Sequence, residues 1–170
     1  MPSAIFESPF GSLTLFAGER GLRRLYFPGT APDLDDFLDS DRERIRVAIE
    51  QLEQYFAGER TRFELPLEYA GTPFQRSVWD ALRDIPYGTT TTYGALGRML
   101  GAQPRAVGAA VGSTPIPIII PCHRVIGTDG SLTGYGGGLP RKRALLEFEA
   151  AGGDRGAFDA AWRQRQLALL

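Results

Sequence analysis

The only cysteine and the only histidine of the chain are neighbours, Cys122 and His123, and Arg124 follows them directly. The thiolate is the reactive form of cysteine, and an adjacent imidazole and guanidinium are groups that lower a thiol pKa. Pro117 and Pro121 stiffen the backbone that leads to the thiol. The segment therefore predicts a positioned nucleophile, although a lone cysteine after an apolar run is also typical of an inert core residue.

Glu149 is a second candidate for the same site. It follows Leu145 by four residues and Leu146 by three, so it lies on the helix face that these leucines should bury. A carboxylate there is unfavourable unless it is paired or hydrogen-bonded, and His123 is the only histidine available to it. The alternative, an exposed glutamate at a frayed helix end, stays open on spacing alone.

Metal and phosphate chemistry are poorly supported, and we expect no metal and no cofactor. One cysteine and one histidine cannot assemble a Cys/His zinc site within the chain. Residues 134–138 are glycine-rich, but the Lys-Ser/Thr of a phosphate-binding loop does not follow them. Such a run more often allows close backbone approach, here to a ligand.

The composition is that of a soluble globular protein, with 43% hydrophobic and 23% charged residues. No apolar run approaches the roughly 20 residues that span a bilayer, and the N-terminus does not resemble a secretory signal. We therefore expect a cytoplasmic protein with no membrane partner. Residues 1–70 hold 8 Arg against 13 acidic residues (net −5), whereas residues 71–152 hold 8 Arg or Lys against 5 (net +3). A polyanionic partner would therefore bind the second half.

The first half predicts an antiparallel meander followed by a helix. Breaks at Gly and Pro separate three short strands: Ala4–Glu7, Leu13–Ala17 and Leu22–Phe27. Ser40 and Glu43 form a capping box for a helix over Asp41–Ala57, which Gly58 ends. Residues 63–69 fit a further strand or an extended linker, and the boundary falls at Ala70-Gly71, which gives a first domain over residues 1–70.

The second half, over residues 71–152, predicts helices around a tight turn. Thr72, Pro73 and Gln75 begin one helix. A short helix over Thr92–Leu100, a glycine-containing turn and a helix from Pro104 to about Gly112 have the spacing of a helix-turn-helix. Many helical proteins contain such a pair without binding DNA.

A hairpin and two further helices complete the prediction. Asp129-Gly130 is a tight-hairpin signal between residues 124–127 and 131–134, and a hairpin after a helix-turn-helix is typical of a winged helix. A helix over Leu139–Ala151 follows. Residues 153–170 form a C-terminal extension, with a helix over Phe158–Leu169.

Several motifs of the second half together resemble one family, the O6-alkylguanine-DNA alkyltransferases. The resemblance runs from about Gly71 to Ala151 and rests on these residues: Pro121-Cys122-His123-Arg124-Val125 after a Pro-x-Pro-Ile-Ile-Ile run, Gly134-Tyr135 followed by further glycines, and Glu149. It implies an α+β protein with a ribonuclease-H-like small antiparallel sheet plus helix at the N-terminus and a winged helix-turn-helix domain at the C-terminus. It also implies that a monomer, acting on double-stranded DNA that contains O6-alkylguanine, moves the alkyl group to its own cysteine without a cofactor. The expected reaction is stoichiometric and also extends to O4-alkylthymine.

The resemblance assigns roles to residues of this chain. Cys122 resembles the acceptor thiolate, His123 the base that acts through a water, Glu149 the group that orients the imidazole, and Tyr93 the proton donor to guanine. Arg105 resembles the arginine that replaces a flipped base through the minor groove, on a helix whose small residues allow close approach to DNA: Ala106, Gly108 and Ala109. Residues similar to the substrate pocket wall are Pro117, Val125, Tyr135, Gly136 and Gly137.

Two departures and two alternatives accompany the resemblance. Thr114 stands where the family usually has Asn, in the turn that supports Cys122, and the stretch from Tyr93 to Arg105 is about two residues shorter than expected. A noncatalytic relative that binds alkylated DNA is one alternative, but in such relatives the cysteine is replaced. A cysteine hydrolase is the other, but its histidine would be distant in sequence from the nucleophile, unlike His123.

Overall fold

The computed structural model describes residues 2–32 and 42–167. The chain divides into two compact units, residues 1–70 and residues 71–170. The fold is α+β, with strands concentrated in the first unit and helices in the second, as the sequence predicts.

The first unit is built on a three-stranded antiparallel meander. The strands are β1 (Ser3–Ser8), β2 (Gly11–Ala17) and β3 (Leu22–Tyr26), in the order β1-β2-β3. The turn between β1 and β2 uses Gly11, whose φ of 98° is a conformation that glycine adopts without strain. The predicted meander is confirmed, with strand ends shifted by one or two residues.

Helix α1 (Arg42–Phe56) covers the sheet. Ile45, Leu52 and Phe56 are buried on its inner face, and the Phe56 ring packs against Phe6 with centroids 6.4 Å apart. The predicted cap at Ser40 lies outside the described residues. In residues 63–69 the structure shows one bridge, between Leu67 and Leu22, so this segment is an extended linker more than a strand.

The second unit begins with α2 (Pro73–Arg83), whose predicted capping box is present. The Thr72 hydroxyl accepts from the Gln75 backbone N–H, and the Gln75 side chain accepts from the Thr72 N–H. Trp79 on the inner face donates its indole N–H to the carbonyl of Ala110 at 2.8 Å. This bond ties α2 to the helix-turn-helix.

The helix-turn-helix consists of α3 (Tyr93–Leu100) and α4 (Pro104–Gly112). The Thr92 hydroxyl caps α3, and Gly101 ends it in the left-handed conformation, with φ of 65°. Pro104 begins α4. These two helices have the predicted bounds, apart from the capping residue Thr92.

The predicted hairpin around Asp129-Gly130 is wrong. The tight turn exists, because Gly130 N–H donates to the Gly127 carbonyl and Gly127 N–H to the Ser131 carbonyl, both at 2.8 Å. No strand follows it within 131–134. Instead, β5 (Val125–Ile126) pairs in parallel with β4 (Thr91–Thr92), which directly precedes α3. This pairing joins the segment that follows Cys122 to the helix-turn-helix.

Two packed helices complete the second unit. Helix α5 (Leu139–Ala150) ends at two glycines, and α6 (Arg155–Leu167) begins three residues earlier than predicted. Phe148 of α5 and Phe158 of α6 meet edge to face, with centroids 5.9 Å apart. Within the described parts of the chain, no helix has the length and apolar character to cross a membrane.

Candidate active site

Cys122 begins a single turn of 3-10 helix, Cys122–Arg124, at the end of a buried segment. Its N–H donates to the Ile120 carbonyl at 2.7 Å, and Ile120 N–H donates to the Ile116 carbonyl at 2.9 Å. Ile118 has a φ of 73°, a conformation that is strained for a β-branched residue. The backbone before the thiol is therefore tightly wound and holds Cys122 in one position.

Burial decides the protonation of the Cys122 thiol. It raises the thiol pKa to about 11, although a hydrogen bond to the Thr114 side chain, the Lys142 charge and backbone hydrogen bonds that include Ile118 oppose the shift. The expectation that His123 and Arg124 lower this pKa is wrong. Their side chains bind Glu149 instead, so the resting thiol is protonated at neutral pH.

His123, Arg124 and Glu149 form a buried cluster. His123 Nε2 lies 2.7 Å from Glu149 Oε1. Arg124 donates to both carboxylate oxygens, from Nε at 2.8 Å and from Nη2 at 2.9 Å, and its Nη1 donates to the Ile85 carbonyl. The alternative of an exposed Glu149 is wrong, since its side chain is 1% exposed.

The Glu149 carboxylate fixes the tautomer of His123. Burial opposes ionisation of Glu149, but the charges and hydrogen bonds of His123 and Arg124 outweigh it and hold the Glu149 pKa well below its usual range. An ionised carboxylate only accepts hydrogen bonds, so Nε2 carries the hydrogen in neutral His123. The Nδ1 atom is then the basic nitrogen, and within the described residues this buried atom has no hydrogen-bond partner.

Tyr93 lies at the start of α3 and is half-buried. Its hydroxyl donates to the Thr133 carbonyl at 2.8 Å and approaches the Gly134 carbonyl at 3.3 Å. Burial raises the pKa of Tyr93, so the phenol stays protonated at neutral pH. It is therefore a proton donor held beside the loop that contains Tyr135.

Lys142 is a site residue that the sequence reasoning missed. It is fully buried on α5, and its ammonium donates to the carbonyls of Val125 and Thr133. Burial lowers its pKa to about 8, whereas the Cys122 charge acts in the opposite direction. The signal was present, because Lys142 lies three residues before Leu145 on the face that also holds Glu149.

The pocket-wall residues predicted from the glycine run lie in one loop, residues 134–138, which we call the glycine loop. Gly137 is buried, and its carbonyl accepts from Arg141 Nη1 at 2.8 Å. A Cβ atom added to Gly136 would lie 3.2 Å from the Gly112 carbonyl at the end of α4. The loop therefore packs closely on the helix-turn-helix. Pro117 and Val125, the other predicted wall residues, are buried.

The residues predicted to contact DNA lie along α4. Arg105, Ala106 and Ala109 are exposed, whereas Gly108 is half-buried, and a Cβ added to it would lie 3.8 Å from the Tyr93 ring. The buried face of the helix contains Val107, Ala110 and Val111. A face of small side chains with one arginine in its first turn is thus open to a partner.

Thr114 ties the turn after α4 to that helix. Its hydroxyl donates to the Val111 carbonyl at 2.7 Å, and its backbone N–H donates to the same oxygen at 3.2 Å. The same side chain lowers the pKa of the Cys122 thiol through a hydrogen bond, against the effect of burial. The threonine therefore links the end of α4 directly to the reactive sulfur.

These features define a class: a helix-turn-helix protein with a buried, positioned cysteine beside a histidine–glutamate pair. The family comparisons agree with that class. Residues 73–151 match the DNA binding domain of 6-O-methylguanine DNA methyltransferase, and residues 1–69 match its ribonuclease-like domain. The chain belongs to this family, and it is a methyltransferase of DNA repair.

Known relatives cover nearly the whole chain. A methylated-DNA–protein-cysteine methyltransferase of Methanosarcina acetivorans is 47% identical over 87% of this chain and 97% of its own length. The corresponding protein of Mycobacterium bovis is 49% identical over 84% of this chain and 88% of its own. Mycobacterium tuberculosis OGT, crystallised in complex with DNA, superposes with a TM-score of 0.82 and 42% identity, covering 95% of this chain and 99% of that one.

Proposed function

We propose that this protein repairs DNA by moving the alkyl group of O6-alkylguanine to Cys122. The Cys122 sulfur attacks the alkyl carbon, an S–C bond forms, and the bond between that carbon and O6 breaks with its electrons going to guanine. The thioether is not hydrolysed, so each molecule acts once. The observation that carries the proposal is the His123–Glu149 pair, which leaves Nδ1 as a base next in sequence to a buried thiol.

The buried thiol needs a base because its pKa of about 11 keeps it protonated at rest. His123 Nδ1 takes the thiol proton through one water, and the ionised Glu149 stabilises the imidazolium that forms. Arg124 holds Glu149 in place with two hydrogen bonds. The thiolate is thus generated by transfer of the thiol proton to His123 and not by a low resting pKa of the thiol.

Tyr93 supplies the proton that guanine needs as it departs. Guanine is a poor leaving group as an anion, and a phenol donor lowers the barrier by proton transfer. The phenolate then regains a proton from solvent, and the imidazolium of His123 loses one to solvent. The net reaction converts thiol and alkylguanine into thioether and guanine.

Helix α4 is the surface we assign to DNA. The target oxygen lies inside the duplex, so the nucleotide must leave the stack, which costs a few kcal/mol. Exposed Ala106 and Ala109, with Gly108 beside them, allow close approach through the minor groove, and Arg105 fills the space left by the base. The net +3 charge of residues 71–152 favours this polyanion. O4-alkylthymine presents the same kind of alkyl ether and is a second substrate.

The two alternatives fit the site less well. A protein that only binds alkylated DNA has no use for a buried cysteine with a base and a proton donor arranged around it. A cysteine hydrolase needs a histidine hydrogen-bonded to the thiol, whereas His123 binds Glu149 through Nε2 and its Nδ1 atom has no hydrogen-bond partner within the described residues. We further propose that the protein works as a monomer in the cytoplasm.

The decisive experiment mixes the protein with duplex DNA that contains one O6-methylguanine. We expect one methyl mass on the peptide with Cys122, in a ratio of one methyl group per protein, and guanine in the DNA. The Cys122→Ser variant should leave the DNA unrepaired. Unmodified Cys122 after complete mixing, with the methyl group still on the DNA, would contradict the proposal.

A further inference from the structure

Helix α6 lies beyond residues 73–151, the part that matches the family's DNA binding domain, yet it packs firmly on that domain. Phe158 is fully buried against Phe148 of α5 at 89° between ring planes. Ala161, on the same face, is also buried. The packing places the next residue of α6, Trp162, beside the first turn of α5.

Trp162 contacts Arg141, and Arg141 contacts the glycine loop. The Arg141 guanidinium carbon lies 5.8 Å from the centroid of the Trp162 ring, within cation–π range. The Nη1 atom of the same side chain donates to the Gly137 carbonyl at 2.8 Å. The indole therefore restricts the guanidinium that holds the loop.

The glycine loop needs such a restraint because four of its five residues are glycines, which have the greatest backbone freedom to lose. Its start is held by Tyr93 and Lys142, which both donate to Thr133 just before it. Its end is held by Arg141 at Gly137. Lys142 also donates to the carbonyl of Val125, three residues after Cys122, so the same side chain joins the start of the loop to the Cys122 segment.

We propose that α6 is a positioning element for the substrate: through Trp162 and Arg141 it fixes the glycine loop and so limits the size of the O6-substituent that reaches Cys122. The inference rests on the alkyl transfer proposed above. A loop fixed close to the sulfur suits a methyl group, whereas a loop released from Arg141 yields to a larger one. Trp162 and Arg141 therefore act through the loop and are positioning residues.

The test compares methyl transfer with benzyl transfer from O6-alkylguanine in the same duplex, using the full chain. Loss of the cation–π contact in Trp162→Leu should raise the ratio of benzyl to methyl rate roughly two- to fivefold. Arg141→Gln should shift it in the same direction. Trp162→Phe keeps an aromatic face and should keep the wild-type ratio, as should Arg163→Gln, an exposed position of the same helix.

Hydrogen exchange of the loop amides gives a second readout. Residues 134–138 should exchange faster in Trp162→Leu, whereas residues 122–126 keep their protection. A wild-type rate ratio with unchanged loop exchange would overturn the proposal. So would equal slowing of both substrates together with a lower melting temperature, because α6 would then serve stability alone. Failure of the proposed alkyl transfer is distinguishable from these two outcomes, because then neither the wild-type protein nor any variant would transfer a methyl or a benzyl group.

Discussion

Tyr93 and Lys142 donate to one shared acceptor, the backbone carbonyl of Thr133, and each donor atom lies 2.8 Å from it. Lys142 Nζ also lies 5.7 Å from the centroid of the Tyr93 ring. Because Lys142 keeps the Thr133 carbonyl paired, the Tyr93 hydroxyl can turn to a substrate without leaving that acceptor unsatisfied. In the proposed mechanism the Lys142 ammonium then stabilises the phenolate of Tyr93.

Replacement of Tyr93 by Phe should therefore reduce activity far more than stability. We expect the rate of methyl transfer from DNA to fall about a hundredfold, the lower end of general acid catalysis. The melting temperature should change little, because Thr133 retains Lys142. Single-turnover kinetics and thermal unfolding measure the two effects, with Tyr26→Phe in the first unit as the matched control. A rate within twofold of wild type would remove Tyr93 from the mechanism.

Glu149 should make stability depend on acid pH. Its folded pKa lies below the unfolded value, so the unfolded chain binds more protons, and the free energy of unfolding falls as pH drops below about 4.5, the usual pKa of a glutamate. Glu149→Gln leaves Arg124 without its charge partner and should lose about 3 kcal/mol at pH 7. On acidification, the free energy of unfolding of this variant should fall less than that of the wild-type protein. Urea unfolding at pH 7 and pH 4 measures these free energies. An equal decrease between the two pH values in the wild-type and variant proteins would contradict the prediction.

Local signals predicted most helix starts and the first three strands correctly, and contacts distant in sequence limited the prediction. The capping box at Thr72 and the proline at Pro104 specify helix starts from a few adjacent residues. The pairing of Val125 with Thr91 involves segments far apart in the chain, so the turn signal at Asp129-Gly130 was mistaken for a complete hairpin.

In the candidate site, too, local sequence signals were reliable, whereas contacts in space were predicted only in part. The carboxylate of Glu149 on an apolar helix face was evidence enough for a buried partner, and His123 is that partner. The thiol pKa was misjudged because residues adjacent in sequence need not touch: Arg124 turns away to Glu149, and burial then dominates at Cys122. Lys142 obeys the same rule as Glu149, because it lies three residues before Leu145 on the buried face of α5 and its ammonium is paired there.

Alkylation of free protein by iodoacetamide should follow the raised thiol pKa. Only the thiolate reacts, so the labelling rate of Cys122 should rise about tenfold per pH unit and level off near pH 11. In urea, where the chain is unfolded, the labelling rate should level off at a lower pH, about 8.5, which is the pKa of a free cysteine. A plateau below pH 8 in the folded protein would show that the resting site already holds a thiolate.

Arg105 should matter only when the target base is stacked in a duplex. Arg105→Ala removes the side chain that we propose replaces the flipped nucleotide, so transfer from duplex DNA should slow, whereas the reaction with free O6-benzylguanine should keep its rate. Because one DNA contact by a cation is lost, binding should also depend less on salt. Arg76→Ala, an exposed position on α2, is the control. Equal slowing with duplex and free base would refute the role in base flipping.

Thr114 should stabilise the thiolate through its hydroxyl. In the resting protein this group donates to the Val111 carbonyl at 2.7 Å, and when the thiol proton leaves it can turn to donate to the sulfur, which lowers the pKa of Cys122. Thr114→Val keeps the shape of the side chain but removes the hydroxyl, so we expect a thiol pKa raised by about one unit and roughly tenfold slower methyl transfer.

Two further variants distinguish the contribution of the Thr114 hydroxyl from that of its methyl group, and compare the hydroxyl with the Asn amide that is usual at this position. Thr114→Ser should retain the wild-type labelling profile and rate, because the donor remains. Thr114→Asn supplies an amide N–H and should lie closer to wild type than to Thr114→Val. If valine leaves both the iodoacetamide profile and the repair rate unchanged, the hydroxyl supports only the turn after α4, and the sulfur depends on the backbone N–H groups and Lys142 for its stabilisation.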